Sequence, residues 1–131
     1  MASAAKKFQI LNKKINNLNF SHVNTIKFIG NSHLSDSTFE ATNLENLKVK
    51  HSTFKKINLK KCILIRSRFT HSSLEQSNLE YSNLSQNSFF RTGLQRTNLQ
   101  CTSFRNSTFN GSQHAKGIKL FLLHVFRLKP R

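Results

Sequence analysis

The sequence contains no tryptophan, a single proline and 4 glycines, and its 131 residues include only 5 acidic side chains. The scarcity of proline and glycine excludes collagen-like chains and proline- or glycine-rich disorder, and the lack of tryptophan argues against a large aromatic core. Two cysteines are too few for the disulfide framework of a small secreted domain. No apolar run reaches the length of about 18 residues that a membrane-spanning helix needs, so we expect no integral membrane segment.

Basic residues dominate the charge of the chain. Lysine and arginine number 21 against 5 acids, which gives a formal net charge of +16 and a pI near 10.7. A chain of this length is expected to form one domain, spanning residues 1–131. Because a charge of this size destabilises a compact state by self-repulsion, we expect either a tightly held fold or a polyanionic partner.

An apolar residue recurs at every fifth position between residues 34 and 109. We call these sixteen apolar residues the centres, and the positions two residues before them the inner positions. The inner position holds a small residue in thirteen of the sixteen units, the exceptions being Leu47, Ile57 and Asn87. The centres are Leu34, Phe39, Leu44, Val49, Phe54, Leu59, Leu64, Phe69, Leu74, Leu79, Leu84, Phe89, Leu94, Leu99, Phe104 and Phe109.

A period of five fits neither regular element. Successive centres would lie about 140° apart on an α-helix and would alternate between the two faces of a flat strand. The pattern instead predicts a chain that winds about an axis, with centres and inner positions inside and the other three positions outside. On this prediction the inner residues are small because the interior is too narrow for two large side chains.

The units Ser77-Asn78-Leu79, Ser82-Asn83-Leu84 and Thr97-Asn98-Leu99 resemble the pentapeptide-repeat family, and the resemblance covers residues 32–111. It implies an all-β fold, a right-handed, four-sided parallel β-helix with one unit on each side and about twenty residues in each coil. Sixteen units make four coils, a rod roughly 19 Å long at about 4.8 Å per coil. Degenerate units upstream would raise the number to between four and five coils.

Residues 1–31 are expected to form an N-terminal cap with degenerate units. Leu18, Val23 and Phe28 keep the spacing of five but lie one residue out of phase with the units that follow. An extra residue near Gly30, forming a bulge, would join the two phases. The inner positions of these units would be Ser21 and Ile26.

Residues 112–131 form a basic, apolar segment without the repeat. Three roles stay open for it: a short cap on the last coil, a contact for self-association, or insertion into a membrane surface or a partner. In members of the resembled family that dimerise, the contact commonly lies at this end, so the resemblance makes a homodimer one expectation. The residues assigned to a partner or to self-association are Leu120, Phe121, Leu123 and Phe126.

Residues twenty positions apart would stack on the same face of the rod, so the fold converts the sequence into a surface map. The face whose centres are Val49, Phe69, Phe89 and Phe109 carries no acidic residue, and we call it the acid-free face. A column of His51, His71 and Arg91 would run along it, with Phe90 exposed beside the column.

A belt of basic residues would ring the rod at one level, with no acid among them. We call it the basic belt, and it consists of Lys48, Lys50, Lys55, Lys56, Lys60, Lys61, Arg66 and Arg68. Together with Arg91 on the acid-free face, it predicts binding of a polyanion such as a nucleic-acid backbone, because clustered lysine and arginine gain affinity by releasing counterions. A merely solvated basic surface and a contact with an acidic protein are the other interpretations.

Two functions follow from this surface. The first is a non-enzymatic scaffold, a rigid basic rod that docks onto nucleic acid as a small subunit of a ribonucleoprotein or another large assembly. The alternative is a protein-interaction module, such as a secreted effector or a topoisomerase modulator, that docks through its C-terminal segment or its faces.

Some members of the resembled family protect or inhibit type II topoisomerases by presenting a DNA-like rod of negative charge. The sign of the charge is wrong for that role here, because a basic rod is repelled by a DNA-binding groove lined with lysine and arginine. The residue before the centre is never Asp and is often Asn, as in Asn43, Asn58, Asn78, Asn83 and Asn98.

Catalytic motifs are lacking in the sequence. It contains no nucleophile elbow, glycine-rich phosphate loop or metal-spaced His/Cys cluster, so no enzyme, cofactor or metal is predicted. His51 and His71 would lie about one coil apart, but Arg91 comes next in the column and no thiolate or carboxylate is near, which argues against a metal there.

The two cysteines are expected to be free thiols. Cys62 would point inward and Cys101 outward, roughly 9.5 Å apart along the rod, beyond the usual Cα separation of about 7 Å for a disulfide. Free thiols predict a reducing, intracellular compartment, and no secretory signal is predicted. The lack of acids up to His33 leaves a mitochondrial or plastid import segment as an alternative, although such segments favour arginine and this one has only lysine.

Overall fold

The computed structural model describes residues 8–21 and 23–112, and this part of the chain contains short strands and no helix. The strands are β1 Phe8–Leu11, β2 Lys14–Asn16, β3 Ile26–Gly30, β4 His33–Ser35, β5 Lys48–Lys50, β6 Thr53–Lys55, β7 Arg68–Thr70 and β8 Ser88–Phe90. They pair in parallel in two sheets, with the orders β1-β3-β5-β7-β8 and β2-β4-β6. Neighbours in a sheet are separated by one full turn of the chain, as in a solenoid.

From Ile29 onward the coils are twenty residues long. Ile29 pairs with Val49, and the same spacing continues through β7 and β8. Isolated parallel bridges such as Asn58 to Asn78 align the sides that lack named strands. The predicted all-β parallel solenoid is confirmed, with four regular coils preceded by a shorter one in which Ile10 pairs with Ile29, 19 residues away.

The centres form one continuous core. Fifteen of the sixteen are buried and Leu99 is partly buried against the others. Phe69 and Phe109 stack on either side of Phe89, with ring centroids 5.2 and 5.1 Å from the Phe89 centroid. Stacked rings at these distances add to the free energy of burial, so these three phenylalanines stabilise the contact between successive coils.

The small residues at the inner positions are hydrogen-bonded to the coil before them. Ser82 Oγ accepts the backbone amide of Cys62 at 3.2 Å and donates to the backbone carbonyl of Leu59. Thr92 Oγ1 donates to the carbonyl of Phe69 at 3.1 Å. Buried backbone groups cost free energy unless they are paired, and these hydroxyls pair groups that face the interior.

The three exceptions among the inner positions correct the steric explanation. Leu47 and Ile57 are each 1% exposed, so the interior does hold two large side chains at these units. Hydrogen bonding, rather than lack of space, accounts for the hydroxyl residues elsewhere. Asn87 preserves part of that pattern, since its Oδ1 accepts the amide of Ser67 at 2.9 Å.

Each side of the solenoid ends in a residue with left-handed backbone. Eighteen non-glycine residues between Asn12 and Asn106 have positive φ, and in the regular coils they recur at every fifth position. They include Lys61, Arg66 and Tyr81, residue types that rarely adopt this conformation. Hydrogen bonds between coils offset the backbone cost; the amide of Arg66, for example, donates to the carbonyl of Ser85 at 3.0 Å.

Asparagine before the centre forms a local turn. Asn58 Oδ1 accepts the amide of Lys60 at 2.9 Å, and Asn78 Oδ1 accepts that of Glu80 at 2.9 Å. This is the Asx turn, in which a short side chain replaces a backbone acceptor. An aspartate makes the same bond, so the neutral amide leaves the positive surface charge intact.

The first coil corrects the predicted phase of the N-terminal units. Its centres are Ile10, Ile15 and Phe20, which pack on the core. Leu18 is 49% exposed and Phe28 is only half-buried, so these two are not centres. The units predicted at Leu18 and Phe28 are therefore wrong, whereas Val23 is partly buried and packs against the core.

The irregularity expected near Gly30 is present. The pairing of β1 with β3 skips Lys27, while Gly30 pairs regularly with Lys50. The extra residue therefore lies at Lys27, three residues before Gly30. Ile26 is fully buried, as predicted, and Ser21 is only half-buried.

Candidate polyanion-binding surface

The acid-free face is the outer surface of the sheet formed by β3, β5, β7 and β8. Lys48 pairs with Arg68, and Lys50 lies in register with Thr70 and Phe90. Because side chains in register lie about 4.8 Å apart along the rod, Lys48 and Arg68 form one stacked pair of cations, whereas the neighbours of Lys50 in register are uncharged. Within the described residues the face carries no acid, as expected from the sequence, and the nearest acids lie on its neighbouring sides.

The basic belt is exposed almost throughout. Seven of its eight residues are exposed and Lys60 is half-buried. Lys60 Nζ lies 3.6 Å from Glu80 Oε1, and Arg66 Nη2 lies 3.1 Å from Glu45 Oε2. The remaining six belt cations form no ion pair with any residue of the described ranges, and they are Lys48, Lys50, Lys55, Lys56, Lys61 and Arg68.

Part of the belt borders a groove of about 530 Å³. Lys48, Arg66 and Arg68 lie along it together with neutral amide and hydroxyl side chains. The groove thus joins the acid-free face to the next side of the rod, and its lining contains positive and neutral polar groups without a carboxylate. Such a lining attracts anions and offers hydrogen-bond donors to phosphate oxygens.

The histidine column on the acid-free face is present and includes Phe90. His51 and His71 stack with ring centroids 5.1 Å apart, and His71 meets the Phe90 ring edge-on at 5.5 Å. The guanidinium of Arg91 lies 5.2 Å from the Phe90 centroid, a cation–π contact. We call these four side chains, His51, His71, Phe90 and Arg91, the aromatic column.

A second groove, of about 670 Å³, runs beside the aromatic column. His51, His71 and Arg91 line one side of it, and Glu75 lines another part. Grouping residues by face assigns Glu75 to a different side of the rod, so the sequence missed that a carboxylate shares a groove with the column. The groove lies at a corner, where residues of two neighbouring sides meet.

The two cysteines are free thiols, as predicted, with Cys62 buried and Cys101 exposed. Burial raises the pKa of the Cys62 thiol from 9.0 to about 11. The thiol donates to the carbonyl of Phe39 at 2.9 Å. Cys62 is therefore protonated at neutral pH and takes the place of a hydroxyl at an inner position, which is a structural role.

Residues 8–21 and 23–112 contain no group of three or more His, Cys, Asp or Glu side chains that could hold a metal ion. In the same part of the chain, no helix has the length and apolarity needed to cross a membrane. The residues assigned to self-association, Leu120, Phe121, Leu123 and Phe126, lie outside the described residues, as does most of the C-terminal segment. Residues 1–7 of the expected N-terminal cap and His22 also lie outside them.

The fold and the repeated five-residue unit define a class of protein, the parallel β-solenoids built from short tandem repeats. The sequence model for pentapeptide repeats matches residues 52–89 in 8 copies. Residues 52–89 therefore consist of pentapeptide repeats, and the chain is similar to the proteins of that family. Among curated protein sequences, none matches this chain.

Solved structures share the fold at low sequence identity. The pentapeptide repeat protein Rfr23 from the cyanobacterium Cyanothece 51142 is 16% identical, with a TM-score of 0.51 over 79% of this chain and 86% of its own. HetL of the cyanobacterium Nostoc sp. strain PCC 7120, a protein involved in heterocyst differentiation regulation, is 16% identical with a TM-score of 0.52, over 79% of this chain and 48% of HetL.

A pentapeptide repeat protein from the thylakoid lumen of Arabidopsis thaliana is also 16% identical. Its TM-score is 0.51, over 84% of this chain and 76% of its own. At this level of identity the three structures support the fold of this chain, and they leave its partner open.

Proposed function

We propose that this protein is a non-enzymatic binding scaffold, a rigid basic rod that docks onto the backbone of a nucleic acid. In this role it is a small basic subunit of a ribonucleoprotein or another large assembly. The observation that carries the proposal is the set of six belt cations without an ion pair, which stand around one coil of a rod with a net charge of +16.

Two features of the fold support contact with a polyanion. The cations of the acid-free face project from β5 and β7, whose backbones are hydrogen-bonded between coils, so the backbone loses little conformational freedom on binding. Lys48 and Arg68 also lie in register on successive coils, about 4.8 Å apart along the rod, so two cations can contact neighbouring phosphates. Each phosphate contact releases counterions, so the logarithm of the affinity falls with the logarithm of the salt concentration with a slope of about 0.7 to 0.9 per contact.

Binding to mixed-sequence RNA and DNA at increasing salt tests the proposal. Affinity should fall steeply between about 50 and 200 mM salt. In the double variant Lys50→Gln/Arg68→Gln, the slope of log affinity against log salt should fall by nearly 2, at about 0.9 per lost contact on duplex DNA. Fluorescence anisotropy of labelled oligonucleotides measures both quantities.

A second double variant, with the same net charge as Lys50→Gln/Arg68→Gln, provides the control. Arg96→Gln/Arg105→Gln also removes two exposed cations, but outside the belt. It should leave the slope close to that of the unmodified protein. Equal losses in both double variants would show that net charge alone drives binding, and a failure to bind at low salt would refute the proposed function.

A protein-interaction module, such as a secreted effector or a topoisomerase modulator, is the second candidate. Exposed apolar side chains on the regular coils favour it: Ile63 is 39% exposed, Tyr81 55% and Phe90 38%. In this case the apolar C-terminal segment or these side chains would hold the partner. Leu120→Ser/Phe121→Ser in the full chain should then abolish partner binding or self-association, measured by light scattering, and leave nucleic-acid affinity unchanged.

A reducing, intracellular compartment is part of the proposal and rests on the two free thiols, Cys62 and Cys101. The test is the mass of the protein isolated from its source, before and after reduction. An unchanged mass is expected, and an increase corresponding to two hydrogens would contradict the assignment.

A further inference from the structure

The groove beside the aromatic column combines groups that a bare phosphate backbone does not need. His51 and His71 present stacked rings along it, and Glu75 adds a carboxylate. The nearby Phe90 ring is 38% exposed, although water-exposed phenylalanine is unfavourable. An inference from this groove rests on the proposed function and goes beyond it, because it names which form of nucleic acid binds.

The aromatic rings favour a flat ligand over an isolated anion. Every nucleobase has a π-face, and stacking of bases on aromatic side chains is the common mode of single-strand binding. The Arg91 guanidinium lies 5.2 Å from the Phe90 centroid, so this ring already takes part in a cation–π contact and a base would lie on the part of the ring that stays exposed. A base that covers the exposed part of Phe90 would also remove apolar surface from water.

The carboxylate of Glu75 makes the groove a better match for a base than for a phosphate. A carboxylate repels a phosphate, whereas it accepts hydrogen bonds from the amino groups of bases, as it does from the cytosine amino group. Ser73 and Thr53 add hydroxyl groups to the same lining. The phosphates would instead follow the cations of the acid-free face, Lys50 and Arg68, which carry no ion pair in the described ranges.

We propose that this groove and the adjacent Phe90 ring bind the unpaired bases of single-stranded nucleic acid, with the phosphates lying along the cations of the acid-free face. A duplex cannot use the groove in this way, because its bases are already stacked and paired and their faces are inaccessible. The protein should therefore prefer single strands to duplexes of the same sequence and length.

The preference is measured by anisotropy with a single-stranded oligonucleotide of about twelve nucleotides, within the ~4–16 nucleotides covered by single-strand-binding folds, and its duplex. Phe90→Ala and His71→Asn should each weaken single-strand binding by about 5- to 100-fold, the range of one lost stacking contact. Asparagine is chosen because His71 has a φ of 47°, a conformation that asparagine tolerates. The slope of log affinity against log salt should stay close to that of the unmodified protein, since no lysine or arginine is removed.

Two further variants make the test specific. Phe90→Tyr retains the ring and should restore single-strand affinity. Tyr81→Ala removes an even more exposed aromatic ring, 55% exposed, from a side of the rod away from the groove, and should have no effect. Circular dichroism and thermal unfolding of each variant verify that the solenoid is intact.

The outcomes separate this inference from the proposed function. Salt-dependent binding with equal affinity for single strands and duplexes, unaffected by Phe90→Ala, would overturn the inference and leave the polyanion scaffold standing. Salt-dependent binding with a single-strand preference that His71→Asn and Phe90→Ala both reduce would support both. A lack of nucleic-acid binding at low salt would overturn the proposed function, and the inference with it.

Discussion

The first coil, up to Phe28, and the four regular coils that follow differ at their inner positions. In the regular coils most of these positions hold buried Ser or Thr. In the first coil the equivalent positions are Phe8, Lys13 and Leu18, and all three are exposed. The core centres continue through both regions, as Ile10 packs with the rest of the core.

The direction of the hydrogen bonds explains the difference. An inner hydroxyl accepts an amide from the coil before it, as Ser32 Oγ accepts the amide of Lys13 at 3.1 Å and Ser37 Oγ that of Leu18 at 3.0 Å. In the described residues, the first coil is not preceded by another coil whose groups an inner hydroxyl could pair. The hydroxyl pattern therefore begins one coil later than the solenoid itself. For this reason the sequence repeat places the start of the fold too late in the chain.

The core should show the largest difference between the two regions. Phe69 is 1% exposed and stacks on Phe89, so Phe69→Ala should lower the free energy of unfolding by about 3–5 kcal/mol. Phe20, 8% exposed and in the first coil, should cost less when changed to Ala, because it has fewer neighbouring coils. Urea unfolding measures both, and equal costs would show that the first coil is as firmly packed as the others.

Alkaline pH should destabilise the regular coils through Cys62. Burial raises the pKa of this thiol to about 11 from 9.0, so the unfolded chain loses the proton first. The contribution to stability is complete below pH 9 and is lost as the pH rises towards 11. The loss should be roughly 2–3 kcal/mol, given about 1.4 kcal/mol per pKa unit.

The variant Cys62→Ser isolates this effect, because serine fits an inner position and does not titrate in this range. Unfolding of both proteins is compared at several pH values. Their difference in stability should change between pH 9 and 11. Parallel curves would mean that the inner position of Cys62 is wetter than its burial indicates.

Inner hydroxyls should matter in the regular coils and not in the first. Ser82→Ala leaves the amide of Cys62 without its side-chain acceptor and should cost about 1–3 kcal/mol, the penalty of an unpaired buried group. Lys13→Ala at the equivalent first-coil position should change stability by less than about 0.5 kcal/mol. Thermal unfolding compares the two, and a large loss in Lys13→Ala would remove the distinction between the regions.

Substitutions at the residues with left-handed backbone, which lie at the corners of both regions, should change the stability least. Asn12 and Asn17 occupy first-coil corners, whereas Gln86 occupies a regular one with a φ of 59°. Gln86→Val should destabilise by about 1 kcal/mol, because a β-branched residue fits the left-handed region poorly. Gln86→Asn should be neutral or slightly stabilising by the same melting assay, and an equal loss from both substitutions would argue against backbone conformation as the cause.

Much of the regular solenoid could be predicted from residue types alone. The spacing of five placed Leu34 through Phe109 in the core, and residues twenty apart do lie in register, as Lys48 and Arg68 show. The first coil could not be placed in this way, since Leu18 and Phe28 continue the apolar spacing while the true centres, such as Phe20, follow a coil of 19 residues. Only pairing with the next coil selects between the two phases.

The candidate site divides in the same way. The sequence by itself determined the five-residue period, the inward centres and the face on which each charge lies, because these depend only on counting along the chain. Tertiary structure decided which cations are neutralised, such as Lys60 by Glu80, and which groups share a groove, such as His71 and Glu75. These contacts depend on the rotation of side chains across neighbouring coils and sides, which residue order does not specify.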